Sequence, residues 1–151
     1  MQPLDRDHGL KVLSGRQDAG GKAKNPSGFQ LLFCTRASSV IGAAKISKHL
    51  CCYGKLVHSG VIIAMLEELM CRTARAFLRG TPRSQQMNFA FMKPLENTGT
   101  LKAEGRILRV GENEDGGLTT IEGVIINDRK EVAVRSTSEW IVAPTAACDG
   151  D

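Results

Sequence analysis

His58, Ser59 and Gly60 open a long apolar stretch, HSGVIIAMLEELMCRTARAFL, that carries Glu67 and Glu68 in its middle. An ordinary core helix needs neither a histidine and a glycine at its entrance nor a carboxylate where burial should be deepest. Residues of these types supply the parts for attacking a carbonyl compound with water. A helix N-terminus presents unsatisfied N–H groups and a partial positive charge. These can hold a carbonyl oxygen that turns negative during attack. Gly60 in the first turn leaves room for a ligand beside the backbone. Ser59 is placed to serve as N-cap, with its own N–H facing the same space. A plain Ser-capped helix after a loop histidine would use the same residues, so the three alone do not decide.

Glu67 lies nine residues after His58. At about 100° per residue, the roughly 900° of turn between them puts the two side chains on opposite sides of a helix. Within one chain they do not meet. Across a two-fold dimer, with two such helices side by side, they do. A buried carboxylate without a partner costs on the order of several kcal/mol. Facing a pocket between protomers, it has water or substrate instead and can act as a general base. The simpler alternative is an exposed stripe on which Glu67 or Glu68 pairs with Arg72 or Arg75. Glu68 and Arg72, at i and i+4, fit that alternative well, whereas Ile63, Leu66 and Met70 surround Glu67.

The elements that must position these residues follow from periodicity. The helix runs from about Gly60 to Leu78 and is stopped by Gly80, Thr81 and Pro82. Its first half is apolar nearly all round, through Val61, Ile62, Ile63, Ala64, Met65, Leu66, Leu69 and Met70, which predicts burial on every side. Upstream, FQLLFC (29–34) and VIGAAKI (40–46) suit a hairpin, and SKHLCCYGKLV (47–57) reads as a loop punctuated by Gly54. Downstream the period falls from about 3.6 to about 2. SQQMNFAFMK (84–93) sets Met87, Phe89 and Phe91 on one face, and TLKAEGRILRV (100–110) sets Leu101, Ala103 and Ile107 against Lys102, Glu104 and Arg106. LTTIEGVIIN (118–127) and EVAVRSTSEWIVA (131–143) complete the set, with turn chemistry in GENEDGG (111–117) and NDRK (127–130). Turn-length links predict an antiparallel meander. One helix buried all round by one sheet requires the sheet to curl about it. The result is an α+β hotdog arrangement, an antiparallel sheet wrapped around one long central helix, over residues 29–144. Residues 1–28, polar and rich in Gly, are expected to be a flexible lead-in, and 145–151 a flexible tail.

Composition narrows the partners. The 151 residues carry a net charge of +4, with Lys and Arg scattered, which argues against a nucleic-acid partner. Lys22 and Lys24, the densest basic spot, sit in a Gly-rich tail. No charge-free apolar run approaches the ~18 residues of a membrane span, and the N-terminus lacks a signal-peptide pattern. Five cysteines, Cys34, Cys51, Cys52, Cys71 and Cys148, include no C-x-x-C pair, and His8, His49 and His58 do not cluster. Neither a metal site nor a cofactor is expected. Reduced thiols and a cytoplasmic location are.

The stretch YGKLVHSGVIIAMLEELM, followed by SQQMNFAFMKPLENTGTLKAEGRIL, resembles the hotdog-fold acyl-CoA thioesterases of the phenylacetate-pathway type and their relatives. That family opens its central helix with His-Gly-Gly, places an acid nine residues after the His, and follows with a strand carrying an Asn and then a Pro. The resemblance runs from Tyr53 to the last strand. It implies that Glu67 acts as general base or nucleophile from the opposite protomer. It further implies that the Ser59 backbone N–H is the oxyanion donor, and that His58 orients the thioester or its loop. Ser84 matches a position where some members hold water with a Ser or Thr, and Asn88 matches the strand asparagine. Ser59 replaces the second residue of His-Gly-Gly, Glu67 replaces the Asp common in this subgroup, and Cys52 occupies a position where some members carry Asn or Gln.

The activity so implied is hydrolysis of an acyl-CoA thioester to free acid and CoA by a homodimer or homotetramer whose site lies between protomers. Lys93, Lys102 and Arg106 are candidates for the CoA phosphates by charge and strand placement. The alternative is a non-catalytic acyl-CoA or lipid-binding hotdog module, which the Cys52 and Ser59 departures would fit. A hydratase or dehydratase on the same fold is a third possibility. Phe29, Phe77, Phe89, Phe91 and Met65 are candidates for an acyl channel or for ordinary core.

Overall fold

The computed structural model describes residues 29–111 and 117–143. The expected lead-in, the tail and most of the 111–117 turn lie outside the described residues. Strands β1 (Phe29–Thr35) and β2 (Val40–Ile46) form the expected antiparallel hairpin. A single 3₁₀ turn, Lys48–Leu50, leads to two-residue strands β3 (Cys51–Cys52) and β4 (Leu56–Val57), which pair with each other. The segment read as a loop is therefore a small hairpin. Its turn is made by Tyr53 and Gly54, both at positive φ (46° and 84°). Helix α1 spans Ser59–Phe77. Four long strands follow, β5 (Thr81–Phe91), β6 (Thr100–Arg109), β7 (Thr119–Ile126) and β8 (Val132–Ala143).

The main sheet has the order β1-β2-β6-β7-β8-β5, antiparallel throughout. The meander holds for β6 to β8 but not for β5. That strand lies at the far edge on β8, and β6 crosses back to pair with β2. The reason lies in residues 92–99, which are a crossover and not a turn. Leu95 O accepts from the Val57 N–H (2.9 Å), the Asn97 N–H donates to Lys55 O (2.7 Å), and Asn97 Nδ2 donates to Ile46 O (2.7 Å). Leu95 is itself buried. The link is thus fastened to the β3–β4 hairpin at the mouth of α1.

Helix α1 buries Ile62, Met65, Leu66, Leu69, Met70, Thr73 and Ala74 against the sheet. The expectation of burial all round is corrected. Ile63, Ala64 and Glu67 are exposed, because a sheet of six strands curls over one side of the helix and leaves the other bare. On the covered side the approach is close. Gly105 of β6 stands opposite Gly123 of β7, and Gly123 opposite Ser136 of β8. A Cβ on Gly105 would lie 2.3 Å from Thr73 Oγ1, and one on Gly123 would lie 3.1 Å from Met70 Cγ. These small residues form a trough in which α1 rests. Trp140, on the same face of β8 as Ser136 and Ser138, is buried, its Nε1 donating to Ser138 Oγ at 2.6 Å.

The β7–β8 turn is tied to the crossover by charge. Asn127 Oδ1 accepts from the Arg129 and Glu131 N–H groups (3.0 and 2.9 Å), and Asn127 Nδ2 donates to Glu131 Oε2 (3.0 Å). The Lys93 ammonium bonds Glu131 Oε1. The Asn127 and Lys93 hydrogen bonds hold the Glu131 carboxyl below its ordinary value of 4.5.

Gly105→Ala is expected to cost about 1–3 kcal/mol through overpacking against Thr73, read as a lower urea midpoint with an unchanged slope. Because the folded Glu131 carboxyl is the stronger acid, the unfolded chain binds more protons in that window. The stability it adds is present above 4.5 and is lost as pH falls through the folded value. The urea midpoint of Glu131→Gln should therefore fall less steeply with acid than that of the wild type; equal acid dependence would show that the link contributes nothing.

Candidate active site

The start of α1 is fixed from both directions. The His58 N–H donates to Leu50 O (3.0 Å), and His58 O accepts from the Val61 and Ile62 N–H groups (3.0 and 3.2 Å). The N-cap is His58 and not Ser59 as the sequence predicts: His58 is extended (φ −60°, ψ 134°), and its Nδ1 accepts from the Gly60 N–H at 3.0 Å. An imidazole nitrogen reaches the second N–H of the helix as well as a hydroxyl oxygen does. Accepting at Nδ1 leaves the neutral ring proton on Nε2. Gly60 suits this cap, since a Cβ there would stand 3.2 Å from Nδ1. Ser59 becomes the first helical residue. Among the described residues its N–H has no hydrogen-bond partner. Of the donors at the helix entrance, the one that the cap and the first turn leave over is the one the resemblance assigns to the oxyanion.

Two cavities flank this N-terminus. The larger, about 430 Å³, is lined by Ser59 together with Cys52, Tyr53, Leu56, Val57, Ile62, Phe91, Met92, Lys93, Pro94 and Leu95. The smaller, about 310 Å³, is lined by His58, Gly60, Val61 and Ala64 of the helix entrance with His49, Leu50 and Cys51. The structure therefore gathers Cys52, Ser59 and Lys93 on one side and His58 and Gly60 on the other. The sequence reading passed over Tyr53, Met92, Leu95, His49 and Cys51. Tyr53-Gly54 as a turn was the signal available for the hairpin that carries several of them.

Glu67 lines neither cavity. It is exposed on the bare side of α1, on a stripe with Gly60, Ile63 and Ala64. Glu68 takes the ordinary role foreseen for it, accepting from Arg72 Nε at 3.0 Å. One turn past Glu67, burial above all pushes the Cys71 thiol up. The thiols of Cys34, Cys51, Cys52 and Cys71 are all free.

The remaining candidates are spread over β5 and β6. A bulge between Ser84 and Gln86 lets Ser84 pair with Trp140 and Met87 with Ser138, so both lie on the helix side of the sheet. Asn88 pairs with Thr137 and is exposed. Lys102 and Arg106 are exposed on the face of β6 away from α1, and Arg106 bonds Glu122 (2.8 Å), which Arg135 approaches from its other side (3.7 Å). None of these four lines a cavity. Of the aromatic and methionine candidates, Met65 is core, Phe77 and Phe89 pack against it, and Phe91 lines the larger cavity. No helix among the described residues is long and apolar enough to cross a membrane.

No protein-family model and no curated relative matches the sequence. Solved structures do. A phenylacetic acid degradation-related protein from Ralstonia eutropha superposes with a TM-score of 0.65 at 19% identity, covering 74% of this chain and 84% of its own. A thioesterase from Haemophilus influenzae gives 0.66 at 14% identity, covering 82% and 83%. A variant of a thioesterase from Staphylococcus aureus gives 0.62 at 14% identity, covering 73% and 89%. What these proteins share with this chain, at such low identity, is the hotdog fold.

Proposed function

We propose that the chain is an acyl-CoA thioesterase that works as a homo-oligomer, a dimer at minimum. The observation that carries this is the unpartnered Ser59 N–H at the start of α1, bordering a cavity. A thioester carbonyl seated on it receives a fixed donor and the positive end of the helix dipole, both aimed at the charge that develops on oxygen. Gly60 keeps the approach open, and His58, by capping Gly60, leaves Ser59 as the donor and holds its own Nε2–H ready to orient the thioester.

Water needs a base, and among the described residues no carboxylate lines either cavity at the entrance of α1. Glu67 serves from the partner protomer. Its stripe is bare and mostly apolar, and strand β5 presents an open edge eleven residues long beyond its pairing with β8. Joining two copies through these surfaces covers apolar area and pairs a free edge, and it brings each Glu67 toward the other copy's helix entrance. Glu67 then takes the proton of the attacking water, and the tetrahedral intermediate collapses with expulsion of the CoA thiolate. Two of the similar structures support the placement. They are alanine variants of one Staphylococcus aureus protein, substituted at a glutamine and at a glutamate fifteen residues further on, and here Glu67 stands fifteen residues after Cys52. Lys93 is the one of the three basic candidates that lines a cavity, and Glu131 already pairs its ammonium; Lys102 and Arg106 would act only through the assembled oligomer, as would Ser84 and Asn88 of β5.

The Cys52 departure favours a second reading, an acyl-CoA-binding module without turnover. Glu67→Gln and Ser59→Pro separate the two. Proline is well tolerated at the first helical position and removes the N–H together with the hydroxyl, for which Ser59→Ala, losing the hydroxyl alone, is the control. Glu67→Gln and Ser59→Pro are each expected to fold and to release CoA at least about a hundredfold more slowly than wild type. Co-expressed, they should regain about a quarter of wild-type activity, because half of the randomly mixed dimers carry one intact site of two. Two inactive variants that never complement would place both groups in one chain. Wild-type binding of an acyl-CoA thioether with no turnover of any acyl-CoA would favour the binding module.

A further inference from the structure

A thioester carbonyl held at the entrance of α1 has two arms to place, the acyl group and the CoA carrier, and the entrance stands between two cavities. The larger is walled mainly by side chains without charge, among them Leu56, Ile62, Met92 and Leu95. Tyr53, Phe91 and Met92, three of the exposed large hydrophobic residues, lie on it. Apolar surface left in water is what a hydrocarbon ligand would cover with gain. The smaller cavity is also largely apolar, with Leu50, Val61 and Ala64 in its lining beside His49, Cys51 and His58; what sets the larger apart is its volume and the exposed Tyr53, Phe91 and Met92 on it.

The larger cavity has one charged lining residue, Lys93, and that charge is cancelled. Glu131 Oε1 holds the ammonium. Asn127 fixes the carboxylate in turn, donating from Nδ2 to Oε2 (3.0 Å) and accepting the Glu131 N–H on Oδ1 (2.9 Å). Swinging away from Lys93 would cost the carboxylate its hydrogen bond from Asn127 Nδ2 as well as the ion pair. An acyl group ending in a carboxylate would meet a cation already paired and a second negative charge beside it.

Resting on the thioesterase reading, we propose that the larger cavity receives the acyl group, that this group is an uncharged hydrocarbon chain or ring, and that Glu131 determines this specificity by neutralising Lys93.

The test measures kcat/KM for straight-chain acyl-CoAs from butanoyl to dodecanoyl, with suberoyl-CoA set against octanoyl-CoA at equal length. Affinities for the matching S-alkyl-CoA thioethers, which are not cleaved, are measured in parallel. Wild type is compared with Met92→Ala, Val61→Ala and Glu131→Gln. Wild-type kcat/KM and affinity should rise by up to about fourfold per methylene until the cavity is full. Met92→Ala should flatten that slope, and Val61→Ala, on the smaller cavity, should leave it. Glu131→Gln should raise suberoyl relative to octanoyl by about two- to fivefold, the scale of a partly exposed ion pair. A slope lost in Val61→Ala and kept in Met92→Ala would put the acyl group in the smaller cavity and overturn the proposal. So would a wild type that prefers suberoyl, or a Glu131→Gln variant with an unchanged ratio. The two readings fail separately. Turnover with a flat chain-length profile overturns this assignment and leaves the thioesterase standing, and graded thioether binding without turnover does the reverse.

Discussion

Gly105 and Gly123 face each other across β6 and β7 with α1 directly on them, and at Gly105 even a methyl group would collide with Thr73. Much of the rest depends on that approach. A helix lying in a trough of small residues is fixed in height by the trough and in rotation by the large side chains on either side, here Leu66, Leu69 and Met70. Once the rotation is set, the opposite side is set too. Glu67 points outward because Leu66 and Met70 point inward. A helix free to roll by one residue would bury the carboxylate and expose a leucine.

The same constraint places the helix entrance. Its axial position is held by backbone hydrogen bonds from His58 to Leu50 and from Val57 to Leu95, so the first turn cannot slide along the sheet. A cap that uses a side-chain nitrogen occupies one donor and leaves its neighbour available. In most helices an unsatisfied N–H at the first turn faces bulk water and means little. Here it borders a cavity whose walls come from the hairpin, the crossover and the end of β5, and under the proposed function water there would be exchanged for a ligand with a directed interaction.

Much of this was legible in the residues. The switch of period after Leu78 marks helix and strands, and the alternation of Leu101, Ala103 and Ile107 with charged neighbours gives the inner face of β6 correctly. Glu68 and Arg72 pair as their spacing requires. What was not legible depends on contacts between distant segments. Nothing local to β5 says that it leaves β6 and travels to β8; that is decided by Leu95 and Asn97 finding Val57, Lys55 and Ile46. The apolar run Val61–Met70 looks buried all round because a sequence does not distinguish apolar surface covered by its own sheet from apolar surface that the sheet leaves bare. His58 as cap was missed because serine is the commoner choice and stood beside it. Lys93, Lys102 and Arg106 look alike in sequence, and only the fold separates the one at a cavity from the two on the outer face.

The route of the crossover has a consequence for how the molecule comes into being. Thr81 pairs with Ala143 at the far end of the described chain, and the cavity walls come from segments near residues 52–62 and 91–95. Contacts between segments so far apart in sequence close after the local hairpins and the helix, because the chain entropy of closing them comes first. The β1–β2 hairpin, α1 and the β6–β8 meander can each form from neighbouring sequence. The cavity beside Ser59 has no such local precursor. It comes into existence only when the crossover docks on the β3–β4 hairpin and on the start of β8, so the cavity forms in the same step that completes the fold.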